Sequence, residues 1–263
     1  MISKTLQLSN SFQTHYLEQG AGEVLLLIHG VGMQAEAWFP QIEHFSKQYR
    51  VIAVDMPGHG QSDLLEKGSM LPSFVAWTIE FIEALNLGAV NLMGHSMGSL
   101  IATGVCVERP DLVKRLAVLN GVYKREVNAR AAVVQRWQDL ETGIIDIEAP
   151  LSRWFDQTIQ NQQVALRVKN WLSTLNLTGY ATAYAAFAHG DDVYADHWSK
   201  VLCPALVLTG ELDGNSTPEM TRAMASLAPK GNAVVIENER HMVNLTAPEK
   251  VNLEIQRWLD TPI

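Results

Sequence analysis

Six short apolar runs recur along the chain, each followed by a turn rich in glycine, histidine or aspartate. They cover 24–28, 51–54, 89–93, 116–119, 205–208 and 233–236. The runs are continuous rather than alternating, as strands buried on both faces of a parallel sheet require. Amphipathic stretches at 72–85, 99–108, 218–227 and 248–258 read as helices between them. Pro218 and Pro248 sit where a first helical turn begins, behind Ser216/Thr217 and Thr246 as N-cap candidates. This alternation predicts an α/β fold with a mostly parallel, doubly wound sheet.

One region departs from the rhythm. From 122 to 199 the periodicity is helical and no strand is evident. Tyr180, Tyr184 and Phe187 fall on one helix face. Half of the chain's aromatic residues lie in this stretch, including Trp137, Trp154, Trp171 and Trp198. The expected organisation is a core made of 1–121 and 200–263, with 122–199 inserted as a helical lid over the strand ends. Between lid and sheet a partly apolar small-molecule pocket is expected. Trp154, Phe155, Tyr184, Phe187 and Arg153 are its candidate lining residues.

Composition narrows the function. Twenty Lys+Arg against 28 Asp+Glu leave a formal charge of −8, which disfavours nucleic acid or an anionic membrane as partner. The longest aliphatic run is far below the ~20 residues of a membrane span. Residues 1–10 lack the basic start and apolar core of a signal peptide. Cys106 and Cys203 are the only cysteines, too few for a disulfide framework or a cysteine-based zinc site. A cytoplasmic protein without metal or organic cofactor is expected.

The chemistry centres on Gly94-His95-Ser96-Met97-Gly98, a Gly-x-Ser-x-Gly motif between an expected strand and an expected helix. In that setting the serine occupies a strained strand-to-helix turn with its Oγ exposed above the sheet, and small flanking residues admit the neighbouring backbone. A serine needs a base. Of the eight histidines, His241 follows an expected strand near the C-terminus. His95 is read as a support of the turn, and His29 and His59 as loop-shaping. His15, His44, His189 and His197 lack strand-end placement, although His189 and His197 lie in the lid and could reach substrate. Asp213, beyond the run at 205–208, is the candidate acid, with Glu211 as the fallback. Asp55 reads as structural. The order Ser96…Asp213…His241 is the order of Ser-Asp-His triads in α/β-hydrolases. Oxyanion donors are expected from the backbone N–H of Met97 and from the turn His29-Gly30-Val31-Gly32, where Val31 is favoured over Gly32.

These landmarks resemble the α/β-hydrolase superfamily over nearly the whole chain. The resemblance rests on His29-Gly30 with Trp38, Asp55-Met56-Pro57-Gly58-His59-Gly60-Gln61-Ser62, the motif around Ser96, Gly210-Glu211-Leu212-Asp213, and His241. Within the superfamily the chain looks most similar to bacterial carboxylesterases, enol-lactonases and meta-cleavage C–C hydrolases. The stretch His241-x-x-Asn244-x-x-x-Pro248-Glu249 resembles the one after the base in enol-lactonases. The resemblance implies residue 31 as an oxyanion donor, a four-helix lid and acyl-enzyme hydrolysis. It departs at Ser99, where relatives often have a second glycine, and at Arg240, where many have Gly or Ala. A serine nucleophile, rather than aspartate, argues against dehalogenase or epoxide hydrolase chemistry.

The expected reaction is hydrolysis of a small, fairly apolar carboxylic ester or lactone. The alternative is C–C hydrolysis of a vinylogous diketone acid from aromatic-ring breakdown. That reaction adds a cation for the substrate carboxylate, with Arg130, Arg136, Arg153 and Arg167 as candidates. A non-catalytic small-molecule receptor is a third class, and acyl transfer to acceptors other than water remains open.

Overall fold

Eight strands form one sheet in the order β1-β2-β4-β3-β5-β6-β7-β8. The computed structural model describes all 263 residues, the side chain of Asn10 excepted. β3 (Val24–Ile28), β4 (Arg50–Val54), β5 (Val90–His95), β6 (Val113–Leu119), β7 (Ala205–Gly210) and β8 (Gly231–Ile236) run parallel. They contain the six apolar runs. β1 (Ile2–Gln7) and β2 (Gln13–Gln19) add an antiparallel hairpin at the β4 edge. No apolar run marks β1, because its residues alternate between exposed and half-buried.

Helices cover both faces. On one side lie α2 (Leu71–Ala84), α3 (Met97–Glu108) and α8 (Pro218–Leu227), in one core with Leu26 and Ile28 of β3. On the other lie α1 (Phe39–Phe45) and α10 (Pro248–Leu259), against Leu25 and Leu27. Alternate residues of one fully buried strand therefore feed two separate cores, which is why the run is unbroken. Thr217 caps α8 as expected, its hydroxyl accepting from the Met220 N–H. Thr246 does not cap α10. It ends the short helix α9 (Val243–Thr246), and its hydroxyl donates to Glu239 Oε2 at 2.6 Å.

Between β6 and β7 the chain forms α4 (Val127–Glu141), α5 (Glu148–Trp154), α6 (Ile159–Ser173) and α7 (Leu177–Ala188). α7 is buried along its length and meets the core backbone to backbone. A Cβ on Gly179 would lie 2.5 Å from the Cα of Gly58, itself at φ +79°. Both residues must be glycine for this crossing. No helix is long and apolar enough to cross a membrane. Cys106 and Cys203 are free thiols with their sulfurs 3.7 Å apart.

Candidate active site

Ser96 stands between β5 and α3 with φ 52° and ψ −114°, a conformation costly for a residue with a Cβ. The turn is held from both sides. The Ser96 N–H donates to Leu119 O at 2.9 Å, and Ser96 O accepts from the Ser99 N–H and hydroxyl. Ser99 thus fastens the turn at the position where relatives often carry glycine. Cβ atoms at Gly94 and Gly98 would fall 2.0 and 2.2 Å from Gly98 O and Ile28 O. The two motif glycines are therefore steric requirements.

His241 follows β8, and its Nε2 lies 3.2 Å from Ser96 Oγ. Its Nδ1–H donates to Asp213 Oδ2 at 2.8 Å. Asp213, beyond β7, also accepts from Asn120 Nδ2 at 2.8 Å and from the N–H groups of Asn215 and Ser216. Burial alone would raise its pKa. The adjacent His241 and these donors outweigh it and hold the carboxyl below its ordinary range. All three side chains are buried. Glu211, the fallback acid, instead accepts from the Asn238 N–H and does not reach the ring.

Sequence reasoning missed Asn120, which follows β6 and approaches Asp213. It has φ +49°, and its carbonyl accepts from Ser216 Oγ at 2.6 Å. An asparagine in the left-handed region after a strand is its only sequence signal. His95 supports the turn as read: its Nε2–H donates to the carbonyl of His241 at 2.8 Å. Burial, with His241 beside it, pushes His95 down to about 3, so the ring is neutral. His59 is likewise pushed to about 3 by burial and by His29, and its Nε2 accepts the Gly32 N–H at 2.9 Å. That bond occupies Gly32. The N–H groups of Val31 and Met97 meet no acceptor among the described residues, which leaves them available to a ligand oxygen. Asp55 accepts from Ala35, Gln61 and His15 and so is structural.

A cavity of about 390 Å³ opens over Ser96 and His241, bounded by α4, α5 and α7. Of the expected lining residues, Trp154, Tyr184, Phe187 and Arg153 face it, with Val31 and Tyr180 beside them. Phe155 does not. It is the C-cap residue after α5 and is buried in a cluster with Met33, Leu151 and Met242. His189 and His197 also lie off the cavity, His189 packing edge-on to Trp137.

Three arginines reach the wall: Arg125, Arg136 and Arg153. Arg125, which the sequence did not single out, pairs with buried Asp191 at 3.0 Å and stacks on Phe187. Arg136 and Arg153 pair with no carboxylate among the described residues. Partial burial and the positive charge of Arg136 together lower the Arg153 pKa. Glu126 is the exposed carboxylate on the cavity wall. The other two candidate cations are engaged elsewhere. Arg130 bridges Asp191 and Asp192, and Arg167 lies over Phe39. Arg240 donates to the Arg153 carbonyl at 3.4 Å.

A parallel sheet, a strained serine turn and a Ser–His–Asp array at the strand ends define a class, and residues 23–248 match the family model of the alpha/beta hydrolase fold. The chain belongs to that family. It is 66% identical over 261 residues to the (E)-2-((N-methylformamido)methylene)succinate hydrolase of Acinetobacter baylyi, covering 99% of each chain. It is 27% identical over 233 residues to 3-oxoadipate enol-lactonase 1 of the same organism, covering 86% of this chain and 84% of that one. Its fold superposes on the crystal structure of the enol-lactonase from Burkholderia xenovorans with TM-score 0.88 at 22% identity, over 98% of this chain and 100% of that one.

Proposed function

We propose that this chain is a serine hydrolase removing an acyl group from a small, unsaturated dicarboxylic acid of the N-acylaminomethylenesuccinate kind. The observation that carries the reading is the pair of guanidiniums, Arg136 and Arg153, without carboxylate partners in the cavity that holds Ser96 and His241. Two unpaired cations suit a dianion. A small apolar ester or lactone would leave both without a counter-charge. The name of the relative at 66% identity supports this choice, since a methylenesuccinate is a dicarboxylate. That name sits nearer the alternative of the sequence analysis, C–C hydrolysis of a vinylogous diketone acid with a cation for its carboxylate, than the apolar ester or lactone.

The roles follow from the geometry. His241, held by Asp213, takes the Ser96 proton as Oγ attacks the acyl carbon. The oxyanion is met by the N–H groups of Val31 and Met97, the latter at the N-terminus of α3. The C–N bond then breaks. Its electron pair passes to a nitrogen conjugated with the unsaturated acid, His241 returns the proton, and water releases the acyl group from Ser96. A C–C substrate differs only in placing that pair on a conjugated carbon. The helical segment 122–199 acts as the lid that supplies the arginines and excludes bulk water.

The test compares kcat/KM for an N-acylaminomethylenesuccinate, a meta-cleavage dienoate and p-nitrophenyl butyrate, with Ser96→Ala as control. The succinate derivative is expected to exceed the butyrate ester by ~100-fold or more, on the scale of two charge-assisted contacts. An ester preference would restore the apolar reading. A dienoate preference would make the chain a C–C hydrolase.

A further inference from the structure

Trp154 ends α5 with its indole over the imidazole of His241, ring centroids 5.6 Å apart and planes inclined by 27°. The indole N–H finds no acceptor among the described residues. Packing alone therefore fixes the ring. Its neighbours diverge: Arg153 lines the cavity, whereas Phe155 is buried beside Met33 and Met242. The bond from Arg240 to the Arg153 carbonyl ties this helix end to the residue preceding His241.

The groups around His241 set what the indole can contribute. Asp213 meets Nδ1, and Ser96 meets Nε2. The His95 ring lies 5.1 Å away and is neutral. Arg240 adjoins it in the chain, and Arg136 and Arg153 share its cavity. Asp213 is thus the one carboxylate bonded to the ring among the described residues. An aromatic face is a neutral group that attracts an imidazolium formed there.

We propose that Trp154 is a positioning residue for His241, keeping its ring between Asp213 and Ser96 and favouring the imidazolium that forms as Ser96 gives up its proton. The attraction grows when charge appears on the ring, so it is stronger in the transition state than before attack. This rests on the reading of His241 as the base. It makes one residue of the lid part of the proton-transfer machinery and gives α5 a role apart from carboxylate binding.

The experiment measures the rate at which a small fluorophosphonate labels Ser96 in wild type, Trp154→Phe and Trp154→Leu, from mild acid to mild alkali. The probe has no carboxylate, so losses at the arginines do not enter. Trp154→Leu is expected to slow labelling about 3- to 30-fold, the range for losing a partly desolvated cation–π contact. Its acid limb moves to lower pH, because the protonated ring loses its partner. Trp154→Phe, with a smaller face, falls between, and carries the test if the leucine variant does not fold. Unchanged labelling in both variants, or slower labelling with the limb in place, overturns the proposal and leaves Trp154 as packing. Wild type that fails to label at Ser96 overturns the hydrolase reading itself.

Discussion

The strand-end loops and the helical segment between β6 and β7 are built to different tolerances. Around Ser96 the side chains of the serine, His241 and Asp213 are held by hydrogen bonds, and the glycines leave no room for a Cβ. Asp213 alone accepts from His241, Asn120, Asn215 and Ser216. The helical segment is looser. α4 buries only Leu140, and Val127, Ile144, Ile159 and Leu166 are exposed. Even so, it supplies most of the cavity wall and both unpaired arginines. Bond-making needs sub-ångström placement and sits on the sheet. On the proposed reading, substrate selection tolerates adjustment and rests largely on these helices, apart from Trp154 of α5 and the buried α7.

Asp213→Asn tests the rigid half and should have the largest effect. The amide cannot hold the tautomer that leaves Nε2 free to take the Ser96 proton, and kcat should fall by ~10⁴ with the fold intact. A loss below tenfold would show that the strand-end array is less exacting than its geometry implies, since Glu211 is turned away toward Asn238.

Acid should also strike the strand-end half first. His59 and His95 are buried and neutral, each pushed to about 3 by burial. Unfolding returns them to about 6.5, so the unfolded chain binds more protons as pH falls. Their contribution is complete above about pH 6.5 and declines towards pH 3, by at most ~1.4 kcal/mol per pH unit for each ring. Asp55 and Asp213, held below their ordinary range despite burial, add a decline of the same sign at lower pH. Urea midpoints at pH 7, 5.5 and 4.5 measure this. A flat profile would mean that the rings take up protons in place.

Arg136→Ala and Arg153→Ala probe the looser half. Each should raise KM for a dicarboxylate roughly 10- to 100-fold, the cost of one charge-assisted contact. Turnover of p-nitrophenyl butyrate should change far less. Equal losses on both substrates would mean that these arginines hold the lid together rather than the substrate.

The same contrast decided what the sequence could disclose. Strand runs such as 24–28 end in turns whose residue types are dictated by backbone crowding, so Ser96, Asp213 and His241 were legible from motif and order. The turn at 29–32 offered Val31 and Gly32 as oxyanion donors, with Val31 favoured, and the Gly32 N–H is engaged by His59. In the insertion, helical periodicity was visible, but which side faces the cavity depends on how helices pack. Trp154 and Phe155 are adjacent and pack on one cluster, yet Trp154 lines the cavity and Phe155 does not. Arg125 had no pattern to mark it, and Asn120 only its place in the Asn-Gly pair after the run at 116–119. β1 was silent because its alternation is that of an edge strand with one half-buried face.

Whether the two halves unfold together is the finest distinction. Asn176 caps α7, its Oδ1 accepting from the Gly179 N–H at 3.0 Å, and α7 carries Tyr180, Tyr184 and Phe187 into the cavity wall. Asn176→Ala should cost about 1 kcal/mol of helix stability. The Gly58–Gly179 crossing presses this helix onto the loop after β4, with Cβ clearances of 2.5–2.6 Å to the opposing backbone. That contact argues that α7, unlike α4 and α6, belongs to the sheet's cooperative unit. If so, the urea midpoint falls and hydrogen exchange quickens by the same factor, about fivefold, in α7 and in the slowest amides of β3 and β5. Faster exchange confined to α7, with an unmoved midpoint, would place this helix with the adjustable half of the molecule.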